Sequence, residues 1–242
     1  YLKQNKKKLK FKKMRVSHVW TQNIRVTKKI SKSCLIENIC SNPKQMINKV
    51  DAIIIARDDW KSHYKIAIPF LKKKIPTFID KPLTLNNNEI ELFSPYLKKN
   101  ILMSCSGLRF SSKVLNFKKK IKTIGKIKKI EAFVLNDFEK YGVHMLDIIN
   151  ELLDENFKNI YNTVEKKDFF KITSQSNIKI ELKCLGRVKK IFDIYFYGTK
   201  KKLKLSIDDN FDAFYNTLKN FEKKIKNKKE IISYQDTLNI MN

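Results

Sequence analysis

Residues 50–83, VDAIIIARDDWKSHYKIAIPFLKKKIPTFIDKPL, restrict the fold more than any other stretch of the chain. Ala52, Ile53, Ile54, Ile55 and Ala56 form an unbroken apolar run, the pattern of a strand covered on both faces by helices. Arg57, Asp58, Asp59 and Trp60 follow where that strand ends, at the carboxyl edge where parallel sheets bind their ligands. From Lys61 to Lys74 the apolar residues Tyr64, Ala67, Ile68 and Leu71 recur at spacings of three and four, which predicts a helix, with Pro69 expected to kink it or end it early. Pro76 to Ile79 is a second short strand, and Asp80-Lys81-Pro82 closes it. Strand, helix, strand is one βαβ crossover.

The same alternation extends on both sides. A strand is expected over Met14 to Trp20, a helix over Arg25 to Lys32 and a short strand near Cys34 to Ile39. Pro43 would open a helix over Lys44 to Lys49, with Ser41 or Asn42 as its cap. Beyond the crossover, Asn86 to Lys99 reads as a helix despite Pro95, and Ile101 to Cys105 as a buried strand. This is an α/β, Rossmann-like, doubly wound parallel sheet over residues 1–106. No glycine precedes Gly107, whereas a dinucleotide site needs glycines where backbone approaches a pyrophosphate. The first strand and Gly-rich turn are therefore expected to be missing, by a truncation of roughly 20 to 30 residues before Tyr1, and the chain reads as cut after Met241-Asn242 as well.

Residues 107–242 read as a second, α+β domain. Val114, Phe117, Ile121 and Ile124 mark a helix over Lys113 to Ile124 that Gly125 ends. A strand over Lys126 to Leu135 and a helix over Glu139 to Leu153 follow. Ile160 to Val164, Phe169 to Thr173, Ile178 to Cys184, Lys190 to Tyr197 and Lys202 to Ile207 alternate as strands, with Gly186 and Gly198 at turns. The expected product is a mostly antiparallel sheet with one open face, closed by helices over Asn210 to Lys226 and Ser233 to Asn242.

A net charge of +28 would ordinarily suggest nucleic acid or an anionic surface. Of the 52 basic residues, however, only Arg15, Arg25, Arg57, Arg109 and Arg187 are arginine, and groove readers rely on the arginine fork. The lysines are spread evenly, as a solvated surface, so no specific nucleic-acid partner is expected. Cys34, Cys40, Cys105 and Cys184 form no zinc-ligand spacing and read as reduced thiols, with Cys105 and Cys184 in the core and no metal site. No apolar run reaches the length of a membrane span and no secretory signal opens the chain, so a cytoplasmic protein with no membrane partner is expected.

Asp80-Lys81-Pro82 after a strand, with His63 at the start of the preceding helix, resembles the Glu-Lys-Pro signature of the glucose-fructose oxidoreductase and inositol dehydrogenase family (Gfo/Idh/MocA). Three further segments match in order: Ser106-Gly107-Leu108-Arg109-Phe110, Tyr141-Gly142-Val143-His144-Met145-Leu146-Asp147 with its Gly-x-His-x-x-Asp pattern, and Phe196-Tyr197-Gly198-Thr199 followed by Leu203 and Leu205. The resemblance implies that Lys81 stands beside a nicotinamide and hydrogen-bonds the substrate hydroxyl, with Pro82 fixing it. It implies that His144 removes the hydroxyl proton, a role its ordinary pKa near 6.5 permits. Arg57, Asp58, Asp59, His63, Asp80 and Pro82 would line the cofactor, although His63 could equally cap its helix. Arg109 and Tyr141 would stand at the substrate. Many members carry an aspartate four residues before the histidine, where this chain has Lys140. Tyr141, Asp137 or Asp147 would have to substitute, or the branch acts on another substrate or is catalytically weak.

The cofactor would be NAD or NADP. No acid follows the Met14 to Trp20 strand to select a ribose hydroxyl, Thr21, Gln22 and Asn23 stand there, and Arg25 could reach a 2′-phosphate. The implied activity is hydride transfer to or from a secondary alcohol of a sugar, sugar nucleotide or cyclitol, with homo-oligomerisation through the open sheet. A second reading is a member that has lost catalysis and binds a ligand or regulates. A third is a polycationic nucleic-acid binder, whose affinity would fall steeply with salt.

Overall fold

The structure, a computed structural model, describes residues 11, 14–162, 168–188 and 192–241. Parallel pairing dominates the first part. Strand β1 (His18–Val19) pairs with β2 (Asn38–Ile39), and helix α1 (Ile24–Cys34) connects them. The Asn23 side chain caps α1 by accepting from the Arg25 N–H, and Leu35 ends it in the left-handed conformation. The β1 strand is shorter than the Met14 to Trp20 alternation suggests. The helix expected over Lys44 to Lys49 is only a 3-10 turn, Pro43–Met46, because Asn48 takes a positive φ of 63° and breaks the spiral.

The central crossover forms as expected. Strands β3 (Ile53–Ile55), β4 (Thr77–Asp80) and β5 (Leu102–Cys105) make a parallel sheet in that order, with Ile53 opposite Thr77 and Thr77 opposite Leu102. Helices α2 (His63–Lys72) and α3 (Asn87–Lys98) bury Ala67, Phe70, Leu71, Phe93 and Leu97 against it. Pro69 does not end α2, and Pro95 does not end α3. Each proline removes the partner of the carbonyl four residues back. Those carbonyls belong to Lys65 and Glu91, both exposed, where water can replace the lost donor.

The second sheet has six strands: β6 (Ile127–Val134), β7 (Phe157–Asn162), β8 (Phe169–Ser174), β9 (Lys179–Cys184), β10 (Phe192–Gly198) and β11 (Lys202–Ser206). Their order is β11-β10-β6-β9-β8-β7, antiparallel throughout except for the parallel β6–β9 pair. The early strand β6 thus takes the centre and the later strands flank it. Residues 163–164 and 190–191, expected in strands, lie outside the described residues. Helices α4 (Ser112–Ile121) and α5 (Val143–Leu153) cover one face, and their Val114, Phe117, Met145, Ile148 and Ile149 meet Ile130, Ala132, Leu182 and Ile194 in the core. Helix α4 stops three residues before the expected Ile124. Where a helix is expected from Glu139, residues Phe138–Gly142 make a π-helical turn instead. Asp137 caps it by accepting from the Lys140 N–H at 3.0 Å. Gly142 permits it, because a Cβ there would stand 2.5 Å from the Phe138 ring.

The opposite face of this sheet carries no helix of the described chain and is laced by charge and aromatic rings. Lys129 bridges Glu131 and Glu181, the Tyr197 hydroxyl donates to Glu131, and Lys202 stands 4.5 Å from the centres of both the Tyr195 and Tyr197 rings.

Helices α6 (Asn210–Asn227) and α7 (Tyr234–Met241) return to the first sheet. Phe221 of α6 packs on Phe78 and Met103, while Tyr234 and Met241 pack against the core of α2 and α3. Lys224 is only 4% exposed, and its ammonium donates to Asn100, whose own amide donates to the Lys228 carbonyl at 2.9 Å. Burial lowers the Lys224 pKa to about 8, against a small upward pull from Glu230. A lysine that ionises less readily folded than unfolded binds fewer protons in the native state, so its contribution to stability rises with pH. That contribution should be complete above the ordinary lysine value of about 10.4 and lost as pH falls through about 8. Denaturation of the wild type and of Lys224→Met, compared from pH 7.5 to 10.5, should show the difference moving steadily in favour of the wild type.

A buried ion pair joins the two halves of the core. Arg109, in the 3-10 turn Gly107–Phe110 after β5, gives one guanidinium nitrogen to Asp147 and another to Glu151 at 2.9 Å. Arg109 is 3% exposed and Asp147 fully buried. Burial raises the Asp147 pKa, although Arg109 and the Ser106 N–H pull it back. Removing one member of such a pair leaves an uncompensated charge in the interior. Arg109→Met should therefore cost about 3 to 5 kcal/mol in a urea titration.

Candidate active site at the carboxyl edge of the parallel sheet

The carboxyl ends of β3 and β4, the turn after β5 and the N-terminus of α5 converge on one cleft of about 180 Å³, lined by Asp58, Asp80, Lys81, Gly107, Leu108, Tyr141, His144, Phe192, Asn210 and Phe214. Of the eight residues expected at the cofactor or substrate, three, Asp58, Asp80 and Tyr141, line the cleft with Lys81 and His144, and Arg57, Asp59, His63, Pro82 and Arg109 do not.

His63 is what holds the floor. It opens α2 and is fully buried, with one ring nitrogen, Nε2, 3.1 Å from the Arg57 carbonyl. Its Nδ1 lies 3.1 Å from the carbonyls of both Pro82 and Leu83. The ring thus ties the chain leaving β3 to the chain leaving β4 and carries Lys81 between them. Arg57 donates to the Ser62 hydroxyl at 2.8 Å and to Asp59 at 3.3 Å, so these two residues staple the loop and do not enter the cleft lining.

Lys81 is nine-tenths buried and points across the cleft. Its ammonium donates to the Lys140 carbonyl at 3.1 Å and stands 5.4 Å from the centre of the Tyr141 ring. Behind it, burial raises the Asp80 pKa; Lys81 opposes that rise, and the nearby Asp58 reinforces it. His144, on the first turn of α5, faces Lys81 from the other wall. Its ring is packed by Tyr141, at 5.7 Å between centres, and by the edge of Phe192 at 5.6 Å. Burial, helped by the positive charge of Lys81, pushes its pKa well below the ordinary histidine value.

The replaced aspartate has a definite outcome. The Lys140 side chain is exposed, and the residue contributes its backbone carbonyl to Lys81. Of the three substitutes expected for that carboxylate, Asp137 caps the π-helical turn, Asp147 is taken by Arg109 and the Ser106 N–H, and Tyr141 offers its ring. The group that reaches a nitrogen of His144 is the Ser106 hydroxyl, 2.6 Å from Nδ1. Sequence reasoning missed Ser106, as it missed Phe192, Asn210 and Phe214, because each is brought to the cleft by packing between distant segments. The Asn210 side-chain oxygen is buried in the cleft wall and has no hydrogen-bond partner among the described residues.

Among the described residues no group of three or more His, Cys, Asp or Glu is placed to hold a metal ion, and no helix is long and apolar enough to cross a membrane. Cys40, Cys105 and Cys184 are buried free thiols, and Cys34 is an exposed one.

Comparison with known proteins follows the same division of the chain. Residues 2–104 match the model of the GFO_IDH_MocA family, described as oxidoreductase family, NAD-binding Rossmann fold. No curated protein sequence matches. Among solved structures, scyllo-inositol dehydrogenase from Lactobacillus casei with bound NAD(H) and scyllo-inositol aligns at a TM-score of 0.79 and 14% identity, over 96% of this chain and 88% of that one. Myo-inositol 2-dehydrogenase from Lactobacillus plantarum aligns at 0.81 and 14%, over 96% and 88%. UDP-N-acetylglucosamine 3-dehydrogenase from Acidithiobacillus ferrooxidans aligns at 0.74 and 13%, over 93% and 86%. At these identities the likeness is one of fold, over nearly the whole of this chain. The family match thus covers residues 2–104, and the fold along nearly the whole chain is shared with these solved structures.

Proposed function

We propose that the chain is an NAD(P)-dependent oxidoreductase that transfers hydride to or from a secondary alcohol of a sugar, sugar nucleotide or cyclitol. The observation that carries this is the meeting of Lys81 and His144 across one cleft, at the carboxyl edge of a parallel sheet, with Asp80 and Asp58 beside them. The solved relatives of this fold named above are dehydrogenases of inositols and of a sugar nucleotide, one of them holding NAD(H) and its inositol together.

The residues present fit the nicotinamide end of such a cofactor. The cleft is polar at its floor, through Asp80 and Lys81, and walled by Tyr141, Phe192 and Phe214. The unpartnered Asn210 oxygen adds an acceptor that a hydroxyl of a polyol would satisfy. When bound, the nicotinamide supplies or takes the hydride. Lys81 and His144 then act on the oxygen of the reacting carbon, by hydrogen bonding and by moving its proton. Tyr141 and Phe192 exclude water from them, which strengthens both interactions. Residues 1–106 form the cofactor side and residues 107–242 the substrate side of the cleft. His63 holds the Lys81 segment in place, and Arg109 acts through Asp147, which fixes the start of α5.

The open face of the six-stranded sheet, with its Tyr195, Tyr197 and Phe133 rings set among paired charges, is the surface we assign to self-association. Tyr195→Glu would place a new charge at its centre. Light scattering should then report a smaller species than the wild type if this face is the interface, and an unchanged mass if it is not. The reduced thiols and the lack of a membrane-crossing helix among the described residues suit a cytoplasmic setting.

The activity is tested by titrating the chain with NADH and with NADPH, followed by nicotinamide fluorescence, and by assaying inositols and UDP-sugars. Lys81→Ala should leave cofactor binding within a few-fold and lower kcat by about 10² to 10⁴. Full turnover without Lys81 would overturn the assigned chemistry.

A further inference from the structure

Ser106 stands where β5 ends and is fully buried. Its hydroxyl oxygen accepts the Leu108 N–H at 3.1 Å and lies 2.6 Å from Nδ1 of His144. A serine hydroxyl has one proton to give. No carbonyl, carboxylate or other acceptor is hydrogen-bonded to that hydroxyl among the described residues. Its proton is used only if it points at Nδ1, and a buried donor left unused is costly. We propose that Ser106 donates to Nδ1 of His144 and so fixes the imidazole in the tautomer that carries its proton on Nε2, the nitrogen left to the cleft.

This deepens the dehydrogenase reading and rests on it for its chemical consequence. A neutral imidazole whose Nδ1 is occupied by a donor has no free lone pair to take up a proton. His144 then serves the substrate oxygen as a hydrogen-bond donor, and the proton transfer falls to Lys81. In the reducing direction the carbonyl oxygen accepts the Nε2–H bond. A bound reduced nicotinamide would supply the hydride, whose two electrons would form the new C–H bond at the carbonyl carbon. The C=O π pair moves to oxygen, which takes a proton from the Lys81 ammonium. Alcohol, oxidised nicotinamide and neutral amine result, and His144 keeps its proton throughout. The low basicity of the buried His144, beside Lys81, agrees with this division. Among the described residues no carboxylate is hydrogen-bonded to His144: Lys140, at the position of the carboxylate, offers only its carbonyl, and that is held by Lys81.

The tautomer is read directly, without turnover, from the ¹⁵N resonances of the chain labelled at its three histidines. The signals of His144 are assigned by their loss in His144→Gln. At neutral pH we expect an unprotonated, pyridine-type Nδ1 and a protonated Nε2 in the wild type, and a shift toward a mixture in Ser106→Ala, which removes one oxygen and adds no bulk. A protonated Nδ1 in the wild type would overturn the proposal.

The second arm is kinetic. Glutamine keeps an N–H donor near the position of Nε2 and cannot act as a base, so His144→Gln should lose roughly tenfold in kcat, against about 10² to 10³ for His144→Phe, which removes the donor. Equal, large losses in both variants would mean that His144 is the base. A chain that shows the expected tautomer but neither binds nicotinamide nor turns over would leave Ser106 as the positioning group of His144 and would sink the dehydrogenase reading alone.

Discussion

The buried carboxylate of Asp147 is the point on which the two halves of the molecule are registered. It accepts the Ser106 N–H at the end of β5 and the guanidinium of Arg109 one turn later, so the parallel sheet delivers its last strand to the first turn of α5. A carboxylate in the interior is tolerable only with such partners. Once they are in place, the side chains on the neighbouring positions have little freedom. His144 is three residues before Asp147 on the same helix face, and Ser106 supplies its hydroxyl to His144 from the residue whose N–H supplies Asp147. One residue therefore fixes both the anchor and the ring it orients.

The same economy of contacts governs the facing wall. Lys81 emerges from β4 and is steadied from below by the His63 ring, which ties the Arg57 carbonyl to those of Pro82 and Leu83. From above it is held by the Lys140 carbonyl, exposed because residues 138–142 wind as a wider turn than an α-helix. In a regular helix that carbonyl would be directed along the axis to the N–H four residues on. The π-helical turn, made possible by Gly142 against Phe138, is thus part of the site and not a blemish in the helix that follows.

How far the sequence disclosed this depends on the range of the interaction. The apolar run at Ala52 to Ala56, the helical stripe after it and Asp80-Lys81-Pro82 are local patterns, and the crossover they imply is present with the predicted order. The strands of the second sheet were equally legible as alternations, but the parallel β6–β9 pairing, which puts an early strand in the middle, depends on how distant segments dock. Pro69 misled where Pro95 did not, since what decides a proline's cost is whether the orphaned carbonyl can reach water. Phe192 and Asn210 carry no local mark at all, and Ser106, though it opens a matched segment, carries none of a site residue. Their relevance lies in contacts across tens of residues, such as the 38 that separate Ser106 from His144. Arg109 looked like a substrate ligand by its place in a motif, and only the depth of Asp147 behind it explains why its charge is turned inward.

Replacing a carboxylate by Lys140 beside a catalytic-type histidine would be ruinous if the carboxylate were needed to hold a proton on Nδ1. The surroundings are consistent with the opposite requirement. An anion next to Nδ1 stabilises the imidazolium and makes Nε2 a base; a hydroxyl that donates to Nδ1 stabilises the neutral ring and makes Nε2 a donor. Each pattern needs the other half of the proton traffic to be handled elsewhere, and among the described residues the only cation in the cleft lining is Lys81, nine-tenths buried and within reach of the same space. A net charge of +28 is spread over the surface, yet the cleft is served by one lysine and faced by Asp58 and Asp80. The two carboxylates keep that single ammonium from being a bare buried charge, and Lys81 in turn opposes the rise that burial imposes on the Asp80 pKa. In the proposed division the proton transfer falls to Lys81, beside Asp80, and the histidine side is left to orient and polarise.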